Sequence, residues 1–259
     1  MQKNKAFTWM LVIALLLPFK LSAAALDMVV TEHFPPYQIQ SQQNVSGVAY
    51  DIVENVLKCS DINIAHSVLP WSRAYHIASQ QKNVLIYSMR RTKKREQQFE
   101  WIGPIFSNES ILKSASPLIL WQLNSSFKNA ITVSTMKNLT LVVARGDYIM
   151  DEIVTRYQWP TDNVIQVKSW TAAIKLLQEK RVDAMVLQEN NLIALSKRLG
   201  VTLSDFMPVL EIDHAPQLYM ALSKGSSSEL QQKLKACLSE LHASKTYTQI
   251  ERNWQASFY

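Results

Sequence analysis

One side chain after a short apolar run, Arg95, suits the binding of a carboxylate. The run Val84–Tyr87 has the composition of a buried strand, and small and basic residues follow it. Thr92 is predicted to cap a short helix, which would place Arg95 at a strand-to-helix junction. Ligands of α/β sheets collect at such junctions. A guanidinium there presents a planar fork of donors that matches a carboxylate, so we expect Arg95 to bind an anion.

The surrounding elements alternate between strand and helix. Asp27–Thr31 and Asn63–Leu69 read as strands, and Tyr50–Lys58 has the apolar spacing of an amphipathic helix. Another helix is expected to begin near Trp71, before the Val84–Tyr87 strand. This order is typical of a parallel sheet with right-handed crossovers.

A second α/β unit follows a polar-apolar stretch, 107–116, that is expected to cross between domains. Its predicted elements are a strand at Leu139–Ala144, helices at Tyr148–Tyr157 and Thr171–Lys180, a strand at Val182–Leu187 and a helix at Glu189–Leu199 stopped by Gly200. The chain then has a strand, Leu218–Ser223, and two terminal helices, Ser228–Ser244 and Thr246–Trp254.

The spacing of Thr92, Arg95 and Phe99, with the C-terminal segment Tyr247–Trp254, resembles the family 3 periplasmic solute-binding proteins, which are amino-acid receptors of ABC importers. The resemblance covers essentially the whole chain after residue 25. It implies an α/β fold of the type II periplasmic-binding-protein class, with two lobes that are each a mainly parallel sheet flanked by helices. Two hinge strands would join lobe 1, residues 26–112 and 214–259, to lobe 2, residues 113–213. The lobes would close over a ligand like a Venus flytrap.

The resemblance also implies a ligand site between the lobes. Lobe 1 would supply two aromatic walls, a hydroxyl and basic groups, from Phe34, Trp71, Ser88, Arg90 and Arg95. Lobe 2 would supply a strand-to-helix turn and an amide, from Gly146, Asp147, Tyr148 and Gln188. The backbone amides of the turn 146–148 are expected to complete a carboxylate site. The alternative for either aromatic residue is a place in the core, and Arg73, Lys93 and Lys94 are expected at the surface.

Gln188 departs from the family pattern. Amino-acid-binding members usually carry an acidic residue after "Val-Asp-Ala" to pair with the ligand's ammonium group, and here Gln188 stands in that place. A glutamine accepts a hydrogen bond but brings no charge, and Glu189 could replace it only with a shift of register. A ligand that has a carboxylate and no ammonium group therefore becomes a candidate. Arg90, where the family often has a small residue, also favours an anionic ligand.

The N-terminus has the layout of a secretory signal peptide. Lys3 and Lys5 precede the apolar run Phe7–Phe19, and an Ala-rich cleavage site ends at Ala25. The run is shorter than a membrane span of roughly 20 residues, although a retained anchor is the alternative. Cleavage would remove three Lys and lower the net charge from +6 to +3. No second apolar stretch follows, and we expect a soluble periplasmic protein.

Two cysteines are present. Cys59 ends the first helical pattern, and Cys237 lies on a leucine-rich helical face. In an oxidising compartment they can form one disulfide; two buried thiols are the alternative. Neither has a histidine at zinc-site spacing.

The sequence contains no motif of a metalloprotease, hydrolase elbow or phosphate loop, and its five glycines form no dinucleotide fingerprint. We therefore expect a monomeric binding protein without metal or cofactor. Its partners would be a small amino acid or organic anion and an inner-membrane ABC permease or sensor protein, with no nucleic acid. The alternatives are a signalling receptor and an enzyme similar to cyclohexadienyl dehydratase, whose acid would be Glu32, His33, Asp147 or Glu189.

Overall fold

The computed structural model describes residues 26–42, 44–112, 116–126 and 131–257. The expected signal peptide, residues 1–25, lies outside the described residues. Within them, no helix has the length and apolar character needed to cross a membrane.

Twelve strands and six α-helices form the described chain. The strands are β1 (Met28–Thr31), β2 (Ile39–Ser41), β3 (Asn44–Ser46), β4 (His66–Val68), β5 (Val84–Arg90), β6 (Phe99–Ile102), β7 (Pro117–Leu123), β8 (Leu141–Ala144), β9 (Val164–Val167), β10 (Ala184–Leu187), β11 (Phe206–His214) and β12 (Leu218–Ser223). The helices are α1 (Val48–Cys59), α2 (Trp71–Gln80), α3 (Trp170–Gln178), α4 (Glu189–Leu199), α5 (Ser228–His242) and α6 (Lys245–Trp254). Shorter helical segments are Asn124–Ser126, Met136–Asn138, Met150–Val154, Thr161–Asn163, Leu203–Asp205 and Gln255–Ser257, of which Met150–Val154 is π-helical.

Two five-stranded sheets form the two lobes. The first has the order β4-β1-β5-β12-β6 and the second the order β9-β8-β10-β7-β11. The chain leaves the first sheet after β6, and it returns after β11 to add β12 between β5 and β6. The lobe limits expected from the sequence stay a prediction. The second sheet contains β7 to β11, and the first contains β12 together with the earlier strands β1, β4, β5 and β6.

In each sheet four of the five strands run in the same direction, so the expectation of mainly parallel sheets is confirmed. In the first sheet β1 pairs in parallel with β4 and β5, whereas β12 runs antiparallel to β5 and β6. In the second, β8 pairs in parallel with β9 and β10, whereas β7 runs antiparallel to β10 and β11. The antiparallel strands are those next to the crossings between lobes, where no βαβ crossover fixes the direction.

A disulfide ties the helical layer of the first lobe together. Cys59 at the end of α1 is bonded to Cys237 in α5, across 178 residues of sequence. Leu234 and Leu238 of α5 are buried in the same hydrophobic core as Ile52 and Val56 of α1. Apolar packing and the covalent bond thus act on the same pair of helices.

The sequence located most elements but missed six strands. The helix at Glu189–Leu199 is confirmed, with Gly200 in the left-handed conformation at its end. Residues 93–98 form turns and no helix, and the Thr92 hydroxyl has no hydrogen-bond partner among the described residues, so the predicted cap is wrong. The missed strands are β2, β3, β6, β7, β9 and β11. Strands β6 and β9 are only four residues long, and apolar alternation is hard to detect over that length.

Candidate ligand-binding site

The carboxyl ends of the parallel strands meet between the lobes. Thr31 ends β1 and Arg90 ends β5 in the first lobe, while Ala144 ends β8 and Leu187 ends β10 in the second. Ligands of open α/β sheets bind beyond such strand ends. The residues that follow each strand therefore face one another across a cleft.

A bulge shapes the end of β5. Tyr87 and Met89 pair with the consecutive residues Met220 and Tyr219 of β12, so Ser88 is an extra residue on its strand. Its φ of 59° is left-handed. The Ser88 hydroxyl donates to Gln38 Oε1 over 2.8 Å and is buried. Bulges often re-aim side chains next to binding sites, and this one turns Ser88 toward the loop after β1.

Arg95 lies in the turn after β5 and is buried despite its charge. Its guanidinium donates to the Arg90 carbonyl over 3.1 Å and to the Gly146 carbonyl in the second lobe over 3.0 Å. It also lies over the rings of Trp71 and Tyr75, at 5.6 and 5.2 Å from their centroids. A cation over an aromatic face is stabilised by the ring quadrupole. The turn, the second lobe and two aromatic rings therefore hold Arg95 in place.

Gly146 joins the lobes through its backbone carbonyl. This oxygen accepts from Trp71 Nε1 over 2.9 Å as well as from Arg95. Gly146 has a φ of 75°, a conformation that glycine adopts readily, and a Cβ there would lie 3.7 Å from Trp71 and Ser72. The second lobe thus presents a carbonyl at this point.

The expectation that the turn amides bind a carboxylate does not hold for Asp147. Its N–H donates to the Ala144 carbonyl over 3.1 Å, and its carboxylate accepts from the N–H of Ile149 over 2.9 Å. A tight turn after β8 uses these groups for its own hydrogen bonds. Asp147 contributes a buried carboxyl to the cleft instead of an amide.

Arg90 and Gln188 connect the lobes directly. Arg90 donates to Gln188 Oε1 and to the Pro216 carbonyl, and it lies 5.9 Å from the ring centroid of Tyr148. Gln188 Nε2 donates to the hydroxyl of Ser116. Gln188 is buried, whereas Glu189 is exposed in the first turn of α4, so no shift of register brings Glu189 into the cleft.

The turn after β1 docks on α4. Asn190 donates to the Tyr37 hydroxyl over 3.2 Å, and Asn191 donates to the Pro35 carbonyl over 2.8 Å. Phe34 is buried and stacks on Tyr37 at a centroid distance of 5.5 Å. Phe34 thus belongs to the hydrophobic core of the first lobe, beside the cleft.

Two buried carboxyl groups, Glu32 and Asp147, face the cleft from opposite lobes. Burial raises the pKa of Glu32 well above its usual range, the charge of Asp147 raises it further, and Arg95 lowers it. Burial also raises the pKa of Asp147, against the hydrogen bond from Ile149 and the charges of Arg95 and Arg90. A carboxyl group removed from water resists ionisation, and a like charge nearby adds to this resistance.

Other polar groups near the cleft lack partners. The hydroxyl of Tyr148 and Nε2 of Gln38 are buried and make no hydrogen bond with the described part of the chain. Burial raises the pKa of Tyr148, so its hydroxyl keeps its proton and can donate to a ligand.

Several predictions about surface residues are confirmed. Arg73, Lys93 and Lys94 are exposed, and Lys94 pairs with Asp151 across the lobes.

Within the described ranges, no three His, Cys, Asp or Glu residues form a group that could hold a metal ion.

Sequence reasoning treated Glu32 only as a possible catalytic acid and overlooked Tyr37, Gln38, Tyr75, Asn190 and Asn191. The position of Glu32 directly after a predicted strand was a usable signal. Asn190 and Asn191 carried no signal in the sequence, because their contacts depend on how α4 packs against the other lobe.

Two mixed α/β lobes with a polar, charged cleft define a two-lobed binding protein. The sequence matches the bacterial extracellular solute-binding proteins, family 3, over residues 26–257, and the chain belongs to this family. A comparison with curated proteins finds no match.

Solved structures support the fold. A histidine kinase sensor domain with similarity to periplasmic binding proteins matches with a TM-score of 0.75 at 15% identity, covering 89% of this chain and 96% of that one. An ancestral arginine-binding protein bound to arginine gives 0.73 at 20% identity, covering 89% and 98%. The substrate-binding protein of an amino-acid ABC transporter gives 0.71 at 18% identity, covering 88% and 98%.

Proposed function

We propose that this protein is a periplasmic receptor that captures a small carboxylate-bearing ligand, a polar amino acid or a related organic acid, between its two lobes and delivers it to an ABC importer. The observation that carries the proposal is the pair of buried guanidinium groups, Arg90 and Arg95, at the carboxyl end of β5. Family membership and the amino-acid-binding structural relatives support the ligand class.

The mechanism is closure around the ligand. The first lobe offers Arg95 together with the Trp71 and Tyr75 rings that hold its guanidinium in position. The second lobe then covers the exposed side of the ligand. Closure excludes water, and the lower effective dielectric constant strengthens the pairing between guanidinium and carboxylate.

The same residues also hold the closed form together. Arg95 and Trp71 donate to Gly146, and Arg90 donates to Gln188. A ligand carboxylate at Arg95 would replace or share the Gly146 contact, so binding and closure draw on one set of donors. This coupling lets the closed shape report that the site is filled.

The test is a ligand search with the protein secreted from cells. Native mass spectrometry before and after denaturation would detect a co-purified compound, and a thermal-shift screen of the twenty amino acids and simple carboxylic acids would follow. We expect a carboxylate-bearing compound to bind the wild type and to lose affinity in Arg95→Ala, with Lys93→Ala as the exposed control. Binding only of compounds without a carboxylate, or equal affinity in Arg95→Ala, would contradict the proposal.

A signalling receptor is the second candidate, since a histidine kinase sensor domain shares the fold over most of both chains. Reconstitution separates the two roles. A transport receptor stimulates ATP hydrolysis by an ABC permease in proteoliposomes when the ligand is present, whereas a signalling receptor changes the autophosphorylation of a membrane kinase.

A further inference from the structure

Three polar side chains around the carboxyl end of β5 are buried and keep unused hydrogen-bonding groups. The exposed fractions of Gln38, Thr92 and Tyr148 are 1%, 7% and 6%. In the ranges that the structure describes, Gln38 Nε2 and the hydroxyls of Thr92 and Tyr148 make no hydrogen bond. A buried polar group without a partner costs free energy, so these three groups call for a partner from outside the chain.

Contacts place each of the three groups beside the end of β5. Gln38 Oε1 accepts from the hydroxyl of Ser88, the bulge residue of β5, over 2.8 Å, and this bond orients the Gln38 amide. The ring of Tyr148, from the second lobe, has its centroid 5.9 Å from the guanidinium of Arg90, the last residue of β5. Thr92 follows Arg90 by two residues in the same loop. The unused groups therefore lie around the arginines that carry the proposed function.

The three groups are complementary to an oxygen acceptor. The amide nitrogen of Gln38 can only donate, and the hydroxyl of Thr92 can donate. Burial raises the pKa of Tyr148, so its hydroxyl keeps its proton and donates as well. An ammonium group also only donates, and it therefore cannot pair with Gln38 Nε2. The oxygens of a carboxylate can accept from all three groups.

The acceptor that an ammonium group would need from Gln188 is already in use. Gln188 Oε1 accepts from the guanidinium of Arg90, and Gln188 Nε2 donates to the hydroxyl of Ser116. An ammonium group at this place would share one neutral oxygen with a guanidinium, and the two cations would repel each other. The protein's own cation thus takes the acceptor that the second lobe offers here.

Other acceptors near the cleft do not replace Gln188 for an ammonium group. Asn191 Oδ1 is buried and unpartnered within the described chain, but it is a neutral oxygen. The pKa values of Glu32 and Asp147 are raised by burial, and a carboxyl group that keeps its proton offers a donor instead of a negative charge. A buried ammonium group needs a charged partner, so this set of groups does not favour one.

We propose that the ligand is a carboxylic acid with a second oxygen acceptor and no ammonium group, of which a short dicarboxylic acid is the simplest case, and that Gln38, Thr92 and Tyr148 bind the second acceptor. The inference rests on the proposed function and deepens it, because it names the class of ligand. One end of the ligand pairs with Arg95, and the other end lies beside Arg90 and accepts from the three unused donors.

Matched ligand pairs test the ligand class. Calorimetry would compare succinate with aspartate and glutarate with glutamate, because the members of each pair differ only in the amino group, and butyrate would represent a single carboxylate. We expect at least one diacid to bind about tenfold more tightly than its amino acid and than butyrate. A hydroxy or oxo acid found by the thermal-shift screen counts with the diacids.

The opposite results separate this inference from the proposed function. If the amino acids bind as tightly as their diacids, if butyrate does so, or if every carboxylate found by the screen carries an amino group, the inference is overturned and the proposed function stands. If no carboxylate binds at all, the proposed function fails and the inference fails with it.

Variants of the unused donors test the placement of the second acceptor, with the diacid that binds more tightly as the probe. Gln38→Glu keeps an acceptor for Ser88 but replaces the Nε2 donor by a negative oxygen, and affinity should fall by about tenfold or more. Tyr148→Phe removes one hydroxyl, and affinity should fall by about fivefold. Gln97→Glu, at an exposed site, is the matched control for the added charge.

Melting temperatures show whether each variant is folded, and Tyr148→Phe decides the question if Gln38→Glu does not fold. Wild-type affinity for the diacid in the folded variants would assign these side chains to the fold alone and overturn the inference.

Discussion

The two lobes share one strand order but place different chemistry at the same edge. In each sheet, two parallel pairings and two antiparallel pairings give the same arrangement. The first lobe brings Arg90, Arg95 and Trp71 to its strand ends, all of them donors. The second brings acceptors at the equivalent positions, the Gly146 carbonyl and the Gln188 amide oxygen. Equivalent topology has thus produced complementary rather than similar surfaces.

This difference shows how one fold makes a closing site. Strand order fixes where the loops after β1, β5, β8 and β10 meet. The groups in those loops decide whether each facing edge presents hydrogen-bond donors or acceptors. The lobes also differ in covalent support. The first has the Cys59–Cys237 disulfide, whereas the described part of the second contains no cysteine. We therefore expect the lobes to respond differently to the same perturbation.

The largest effect should come from the double variant Cys59→Ser, Cys237→Ser. Removing a cross-link over 178 residues should lower the free energy of unfolding of the first lobe by about 4 kcal/mol, because the unfolded chain gains freedom. Urea denaturation followed by tryptophan fluorescence measures it. A reductant should destabilise the wild type equally and leave the variant unchanged; equal stability of the two proteins would contradict this.

Arg95→Ala should reduce ligand affinity by about 3 kcal/mol, roughly a hundredfold, because it removes a buried charge from the first lobe's side of the cleft. It should also lower the melting temperature, since Arg95 holds the carbonyls of Arg90 and Gly146. Calorimetry with the identified ligand measures the effect, and Lys93→Ala, an exposed neighbour, is the control.

Trp71→Phe should weaken ligand binding by about 1 kcal/mol, because the ring remains but the hydrogen bond to the Gly146 carbonyl across the cleft is lost. Trp101→Phe is the matched control. Its Nε1 donates to the Glu96 carbonyl over 3.1 Å within the first lobe, so its loss should affect stability and leave affinity unchanged. Similar affinities for the two variants would mean that the bond between lobes does not help closure.

The smallest effect concerns pH. Burial and the charge of Arg198 in α4 lower the pKa of His33 from its ordinary value near 6.5 to about 4. The folded protein therefore binds fewer protons than the unfolded chain between these values, and stability is lost as pH falls from about 6.5 through about 4.

His33→Gln should consequently lose less thermal stability than the wild type over that range, and His76→Gln, at an exposed site on α2, should follow the wild type. Differential scanning fluorimetry at several pH values measures the difference. Identical pH profiles for wild type and His33→Gln would contradict a lowered pKa of His33 in the folded protein.

The sequence predicted the parts of the molecule that have local causes. Helix α4 and its glycine stop follow from apolar spacing and a left-handed terminus, and β5 follows from a continuous apolar run. The expected cap at Thr92 failed because the next residues form turns that set Arg95 in the cleft. That outcome depends on contacts with Trp71, Tyr75 and Gly146, which are distant in sequence.

By itself the sequence determined the family, the two α/β units and the place of an arginine after β5 and before Phe99, because composition, periodicity and motif spacing are properties of short segments. Only the tertiary structure decided that the Gly146 carbonyl faces the first lobe and that Gln188 holds Arg90. These relations join residues from two separately folded sheets. The docking of the lobes brings them together, and no local pattern encodes that docking.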